Sequence, residues 1–320
     1  MTTIRPMYED DFDAVRLAHA QAFGAFWRQQ RGEGATAPPR TRASVLASWE
    51  KDPGGCFVAE DGGRVVGCVF SRTWGSVGWF GALAVLPEYQ GQGIGQRLIA
   101  ASLAYLRQDA QRVVGLETMP ESEYNLGLYL RRGFQARTLT FRLSKALEQP
   151  GGERQDIQAW SQAGAATQER WLAELREATG RVWPGLDYSK EIKAMAQHEA
   201  GETLVLSEGA RAIGFSSVRL ASVREGEPPL PLARVEALAL HPAHTDEECF
   251  RGLLEASEGL AHAQGKERLL LPANGGHTWA LEHLLAWGYR VEYAMVRMVL
   301  EGTDGGPRSD DHVELSAWAG

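Results

Sequence analysis

Between Pro87 and Leu98 the chain reads Pro87-Glu88-Tyr89-Gln90-Gly91-Gln92-Gly93-Ile94-Gly95-Gln96-Arg97-Leu98, directly after the apolar run Leu83-Ala84-Val85-Leu86. A strand that feeds a Gly-rich turn and then a helix points several backbone N–H groups at one spot. The helix N-terminus adds a positive partial charge there. Glycine lets the backbone approach a ligand with no Cβ in the way. The natural ligand of such a turn is a phosphate or pyrophosphate. No Lys-Ser/Thr follows, so this is not a Walker A loop. No parallel βαβ repeat with an acidic ribose partner surrounds it, so it is not a dinucleotide fingerprint either.

Further on, Tyr129-x-x-x-Gly133-Phe134 closes an apolar helical stretch. Taken together, Gln90-x-x-Gly93-x-Gly95, the strand before it, and Tyr129 with Gly133-Phe134 resemble the acetyl-CoA signature of the GNAT N-acetyltransferases. The resemblance covers roughly Ile4 to Leu143, and a weakened version covers about 155–300. It implies that the main chain of Leu83, Ala84 and Val85 pairs with the pantetheine arm of acetyl-CoA. It also implies that the amides of Gln90, Gly91, Gln92, Gly93, Ile94 and Gly95, with Gln96 and Arg97, hold the pyrophosphate. Ser122 and Asn125 would lie at the far end of the arm. Ser122 departs from the Asn common at that position in the family.

Acetyl transfer to an amine needs a neutral amine, a polarised thioester and a proton for the leaving thiolate. Placing the two reactants together does most of the work. A strand amide, that of Val85, would stabilise the developing oxyanion. Tyr129 matches the family's general acid. Glu117, at the end of the run Val113–Thr118, resembles the base position of members that acetylate protein N-termini; it is equally readable as a solvent-facing edge carboxylate. Acetyl-CoA is the cosubstrate expected, and no metal is expected. His241-x-x-His244, His277 and His283 lack a completing Cys or carboxylate at a recognised spacing.

These residues need a scaffold, and the sequence builds it twice. Gly133-Phe134 and Gly288-Tyr289 are 155 residues apart, as are Pro87 and Pro242, each after an apolar run. FVAEDGGRVVG (57–67) matches LVLSEGARAIG (204–214) at an offset of 147. The difference fits a Pro-stiffened insertion around Glu225–Leu232. The first copy predicts a helix Asp10–Ala22 and a hairpin of Cys56–Ala59 and Val65–Ser71 around Glu60-Asp61-Gly62-Gly63. A strand Trp79–Leu86, a helix from Gly93 to Arg107, a strand Val113–Thr118, a helix Ser122–Arg132 and a strand Thr138–Leu143 follow. The second copy repeats the order from the hairpin onward at 203–207, 211–220, 233–240, 247–264, 268–272, 277–287 and 291–300. The fold class is α+β: two tandem GNAT domains, 1–147 and 156–301, each a mixed, mostly antiparallel sheet flanked by helices. Residues 146–156 form the linker. The polar, Gly-rich stretch 302–320 is expected to lack order. Gln29–Arg42 reads as a long polar loop, either disordered or a lid beside the acceptor.

In the second copy Gly93 aligns with Glu248, Gly95 with Phe250 and Tyr129 with Leu284. Three consecutive acidic residues stand where a pyrophosphate would bind, and a like-charge pair at ~4 Å costs on the order of 1 kcal/mol even in water. The second copy is therefore read as degenerate. Its expected roles are completing the fold, shaping the acceptor cleft, or pairing as a homodimer.

Length and charge agree with this division. The 320 residues allow two domains. Residues 1–150 carry 17 Lys+Arg against 15 Asp+Glu, and residues 151–320 carry 16 against 26. With no basic field over the whole chain, nucleic acid is a poor partner, and the acidic half is expected to repel a polyanion. No apolar run reaches membrane-spanning length. Three scattered cysteines form no disulfide framework, and a cytoplasmic setting is the simplest. Cys56 and Cys68 are read as small buried fillers. The expected activity is N-acetyl transfer to a primary amine, on a small molecule, peptide or protein. The alternatives are a non-catalytic acyl-CoA-binding or sensing module and a dimerisation scaffold.

Overall fold

The hairpin alternation predicted around Glu60–Gly63 sits inside a longer meander. In the computed structural model, which describes residues 1–108, 113–148, 154–225, 231–302 and 312–316, the first half runs β1 (Thr3–Pro6), α1 (Phe12–Arg31), α2 (Arg42–Lys51), β2 (Cys56–Asp61), β3 (Arg64–Trp74) and β4 (Val77–Val85). It continues with α3 (Ile94–Leu106), β5 (Val113–Thr118), α4 (Glu123–Leu130) and β6 (Phe134–Ala146). The second half follows the same order: β7 (Ile157–Ala159), α5 (Ala165–Val182), α6 (Ser189–Gln197), β8 (Gly201–Glu208), β9 (Arg211–Arg219), β10 (Leu232–Leu240), α7 (Glu247–Ala263), β11 (Arg268–Asn274), α8 (Thr278–Ala286) and β12 (Arg290–Leu300), with an added β13 (Glu314–Ser316). Residues 157–200, to which the sequence pattern assigned no element, hold the counterparts of β1, α1 and α2. α2 begins at a Thr41 cap whose hydroxyl accepts from the Ser44 amide at 3.1 Å. α1 runs nine residues past the predicted Ala22.

The strands join one sheet, ordered β1-β2-β3-β4-β5-β12-β6-β11-β10-β9-β8-β7. The expectation of a separate sheet in each copy therefore needs correction. The last strand of each copy crosses into the other. β12 pairs antiparallel with β5 (Arg297 opposite Glu117), and β6 pairs antiparallel with β11 (Leu143 opposite Leu271). The two exchanged strands pair with each other at the centre. The cores are exchanged with them: Met298 and Leu300 of β12 pack with Leu116, Tyr129 and Phe134, while Leu143 of β6 packs with Leu269 and Leu271. Each such side chain contributes about 1.5–3 kcal/mol by leaving water. A third cluster is shared outright, with Trp74, Val77 and Trp79 meeting Trp171, Trp183 and Leu186. α2 and α6 are clamped by Lys51 to Glu191, and Lys190 reaches Asp52 at 2.7 Å.

The tail expectation needs correction too. Residues 303–311 and 317–320 lie outside the described residues, but Glu314–Ser316 is built into the sheet as β13, and Leu315 and the preceding Val313 are fully buried. Residues 149–153 of the linker and most of the insertion, 226–230, also lie outside the described residues. Among the described residues no helix is long and apolar enough to cross a membrane.

Candidate active site

β4 and β5 pair in parallel only at Val77–Trp79 with Val113–Gly115. Beyond that point they part, and β4 is bent by a bulge: the register with β3 slips between Cys68 and Phe70, with Ala82 at φ +53°. An alanine held in the left-handed region costs on the order of 1–3 kcal/mol and tends to mark a functional segment. Leu83, Ala84 and Val85 follow it along one wall of a cleft of about 890 Å³, within the range of small-molecule sites. Opposite them stand Ser122 and Asn125 at the start of α4.

The Gly-rich turn closes one end of this cleft. Gly91 and Gly93 adopt φ +76° and +78°, and a Cβ at either position would meet nothing within 4 Å. These glycines are required by backbone conformation and face open space, a cradle suited to a ligand rather than to packing. Gln90, Ile94, Gly95 and Gln96 share the wall. Several side chains of this turn bond within the protein. Gln92 donates its side-chain amide to the Glu88 carbonyl at 3.3 Å. Arg97 sends its guanidinium to the carbonyl of Thr2, just before β1, at 2.6 Å, and its amide already donates to the Gly93 carbonyl. Arg97 completes the first turn of α3, which is why its amide is not available. Ser122 caps α4, its hydroxyl accepting from the Asn125 amide at 3.4 Å.

Tyr129 is 6% exposed and lies edge-on to Phe80 and Phe134, with ring centroids 6.2 and 6.1 Å away. Burial pushes its phenol well above the ordinary value, so it stays protonated across the neutral range. It sits in the core cluster rather than on the cleft wall, which its chain neighbour Leu128 lines.

Glu117 corrects the expectation of either a base or an exposed edge carboxylate. Its side chain is fully buried. It accepts from Thr140 Oγ1 at 2.6 Å, Arg142 Nη2 at 3.1 Å and Arg297 Nη2 at 2.9 Å. Burial pushes its pKa up, but the two guanidiniums outweigh burial and hold it below the usual Glu value. A carboxylate so held is a poor proton acceptor. Its partners come from β6 and β12, so no local pattern around Glu117 announces them.

The sequence reading missed the other wall of the cleft. Phe23, Phe26, Gln29 and Gln30 line it from the final turns of α1. The apolar spacing that continues at Phe23, Phe26 and Trp27 was the available signal. Gln29–Arg42 is accordingly no free loop. α1 covers its start, and Arg40 bridges to Arg224 of the second half, with the Thr41 amide donating to the Val223 carbonyl at 2.9 Å. Cys56 and Cys68 are buried, their thiols pushed up to about 12 by burial, as small core side chains.

The equivalent place in the second half is filled from within. β10 pairs with β11 only at Leu232–Arg234, then parts from it as β4 does from β5. β13 lies in that gap, antiparallel to Ala237–Ala239, which correspond at offset 155 to Ala82–Ala84. At the start of α7, Asp246 accepts from the Cys249 amide at 2.8 Å. Arg154 lies close over Gly252, where a Cβ would come within 2.4 Å of its guanidinium. Leu284 is fully buried.

Comparison with known proteins agrees with this geometry. The model of the acetyltransferase (GNAT) family matches residues 20–134. An uncharacterized N-acetyltransferase of Methanocaldococcus jannaschii is 30% identical over 138 residues, covering 42% of this chain and 80% of that protein. Mycothiol acetyltransferase of Cellulomonas flavigena is 35% identical over 139 residues, covering 40% of this chain and 38% of that protein. The chain thus spans less than half the length of that relative. Two solved structures share the fold over the full length. A Pyrococcus horikoshii protein proposed to be an acetyltransferase has TM-score 0.71 at 17% identity, covering 99% of this chain and 95% of that one. A tandem GNAT protein of the clavulanic acid biosynthesis pathway has TM-score 0.61 at 14% identity, covering 96% and 99%. The family match over residues 20–134, with a 30% identical N-acetyltransferase covered over 80% of its length, makes this chain a member of the GNAT acetyltransferase family, with a GNAT domain in its N-terminal half and a tandem architecture.

Proposed function

We propose that the N-terminal half transfers an acetyl group from acetyl-CoA to a primary amine, and that the C-terminal half does not bind the cosubstrate. The observation that carries the reading is the pair of left-handed glycines, Gly91 and Gly93, open to the cleft at the start of α3. The amides of this turn would hold the pyrophosphate, and the main chain of Leu83–Val85 would extend the sheet along the pantetheine arm. The Val85 amide would stabilise the oxyanion as the amine nitrogen forms its bond to the acetyl carbon. As the carbon–sulfur bond breaks, the Tyr129 hydroxyl would give its proton to the thiolate. With Glu117 locked between two arginines, the amine's proton would leave through water rather than through that carboxylate. The second half supports this chemistry by supplying β12 to the edge of β5. We assign the working and supporting halves to 1–147 and 156–301.

The reading is tested by calorimetric titration of acetyl-CoA, followed by thiol release across a panel of small amines and peptides. Binding at one site per chain with amine-dependent thiol release supports it. Binding without release with any amine favours an acyl-CoA-sensing role, and no binding removes both.

A further inference from the structure

A second cavity, of about 320 Å³, opens between the halves. Its walls carry Arg40, Lys51, Arg72 and Arg142 from the first half, and Arg219, Arg224 and Arg234 from the second, against one carboxylate, Glu236. Three of these cations are neutralised in place. Lys51 pairs with Glu191, Arg142 with Glu117, and Arg219 with Glu236 at 2.6 Å. Among the described residues no carboxylate pairs with Arg40, Arg72 or Arg234. Arg40 and Arg72 instead donate to the Ser48 hydroxyl at 2.7 and 3.2 Å. Burial, reinforced by the facing guanidinium of Arg72, pulls Arg40 down to about 9. Clustering unpaired guanidiniums in a cavity is destabilising unless an anion compensates them. Such breaches of ordinary packing concentrate at functional sites.

Two further observations point to an anion as the ligand of this cavity. Arg142 is 7% exposed, and its Nη1 is buried with no hydrogen-bond partner; the Nδ1 of His19, 6% exposed, is likewise unsatisfied. Both residues line this cavity. The site is also rigid. The segment carrying Arg40 is stitched to the second half, with the Glu225 amide donating to the Pro39 carbonyl and Arg224 to the Pro38 carbonyl, both at 2.8 Å. Guanidiniums held by fixed backbone lose little freedom on binding, and their forked donors match carboxylate and phosphate oxygens.

The cavity neighbours the cofactor cleft. His19 stacks on Phe23, ring centroids 4.4 Å apart, and Phe23 lines the cleft. The two residues are one helical turn apart, about 6 Å along the axis. We propose that this cavity seats the anionic end of the acceptor, so that the amine acetylated is a small molecule carrying a phosphate or carboxylate group. The inference rests on the acetyl-transfer reading for the word acceptor, and on the cavity alone for the anion. Because residues of both halves line it, the second copy here takes part in recognition as well as support.

The test separates the two. In the full-length Gly93→Glu variant, where the cofactor turn carries a carboxylate, inorganic phosphate and citrate are titrated by calorimetry. Saturable binding of at least one, weakened at least tenfold by Arg234→Gln and by Arg40→Gln, is expected. No saturable binding by a variant that still unfolds cooperatively overturns the proposal, as does binding indifferent to both arginine changes. In the unmodified chain, O-phosphoethanolamine is compared with ethanolamine, and γ-aminobutyrate with n-butylamine, by thiol release from acetyl-CoA. A kcat/KM at least tenfold higher for either anionic amine, erased by Arg234→Gln, is expected. Equal turnover within both pairs overturns the acceptor assignment. Arg234-dependent anion binding without thiol release from any amine upholds the anion site and overturns only the transfer reading.

Discussion

Glu117 and Arg297 are 180 residues apart in the chain and directly opposite in the sheet, joined by hydrogen bonds from Arg297 Nη2 and Nε at 2.9 and 3.1 Å. This contact ties β5 of the first half to β12 of the second. It turns a carboxylate that could have served as a base into the anchor of the strand exchange.

Removing one partner of a buried ion pair leaves a charge that is expensive to keep. Arg297→Met should destabilise the chain by about 3 kcal/mol, the lower end of the range for such losses, because Arg142 stays beside Glu117. Urea unfolding reads this, and the double change Glu117→Gln with Arg297→Met should recover part of it. Glu117 has a folded pKa below its unfolded value. Its contribution is fully present above the usual Glu value of 4.5 and is lost as pH falls from there through the folded value. Glu236, held at about 2 by Arg219 and Lys51 despite its burial, adds to the same acid limb. Glu236→Gln should flatten that limb; an unchanged slope would refute its share.

Gly93→Glu places a carboxylate and a Cβ at a φ of +78° where the pyrophosphate would sit. Acetyl-CoA affinity should fall more than tenfold by calorimetry, with the far-ultraviolet circular dichroism unchanged. The mirror change Glu248→Gly should leave binding at the first site as it was and create none at the second.

Tyr129→Phe keeps the packing against Phe80 and Phe134 and removes only the hydroxyl. Turnover should drop by about 10²–10⁴, the usual contribution of a general acid, with acetyl-CoA affinity nearly unchanged. Because burial holds the phenol well above 10, the unmodified chain should show no loss of kcat at pH 10 from this group. Full turnover by the variant would remove the assignment.

Glu314 sits fully buried in β13, its carboxyl pushed up by burial. A folded pKa above the unfolded one makes its contribution to strand docking complete at low pH. That contribution is lost as pH rises through the folded value. Glu314→Gln should therefore protect the C-terminal strand from carboxypeptidase at pH 8 while changing little at pH 4. Equal digestion of both chains at pH 8 would contradict it.

The shared tryptophan cluster and the strand exchange couple the halves. Thermal unfolding should show one transition whose calorimetric and van't Hoff enthalpies agree. Two resolved transitions would mean that the halves unfold independently.

The sequence alone determined much that depends on local order: the glycine turn, the strand before it, the tandem repeat, and the bounds of most elements it assigned, with β5 matching at Val113–Thr118. These follow from the side-chain period and from residues that only certain backbone conformations accept. β1, α2 and the elements of 157–200 were not among the elements assigned. Tertiary structure decided which strand lies beside which. β6 and β12 are both long strands rich in apolar residues, and such a pattern can name the face a residue takes but not the neighbour across the ladder. Glu117 therefore looked available until Arg142 and Arg297 arrived from two other strands. Charge misled for the same reason: the second half is acidic in sum, yet Arg219, Arg224 and Arg234 converge on one cavity. A net charge is a total over the chain, whereas a binding site depends on the few charges the fold brings within reach of one another.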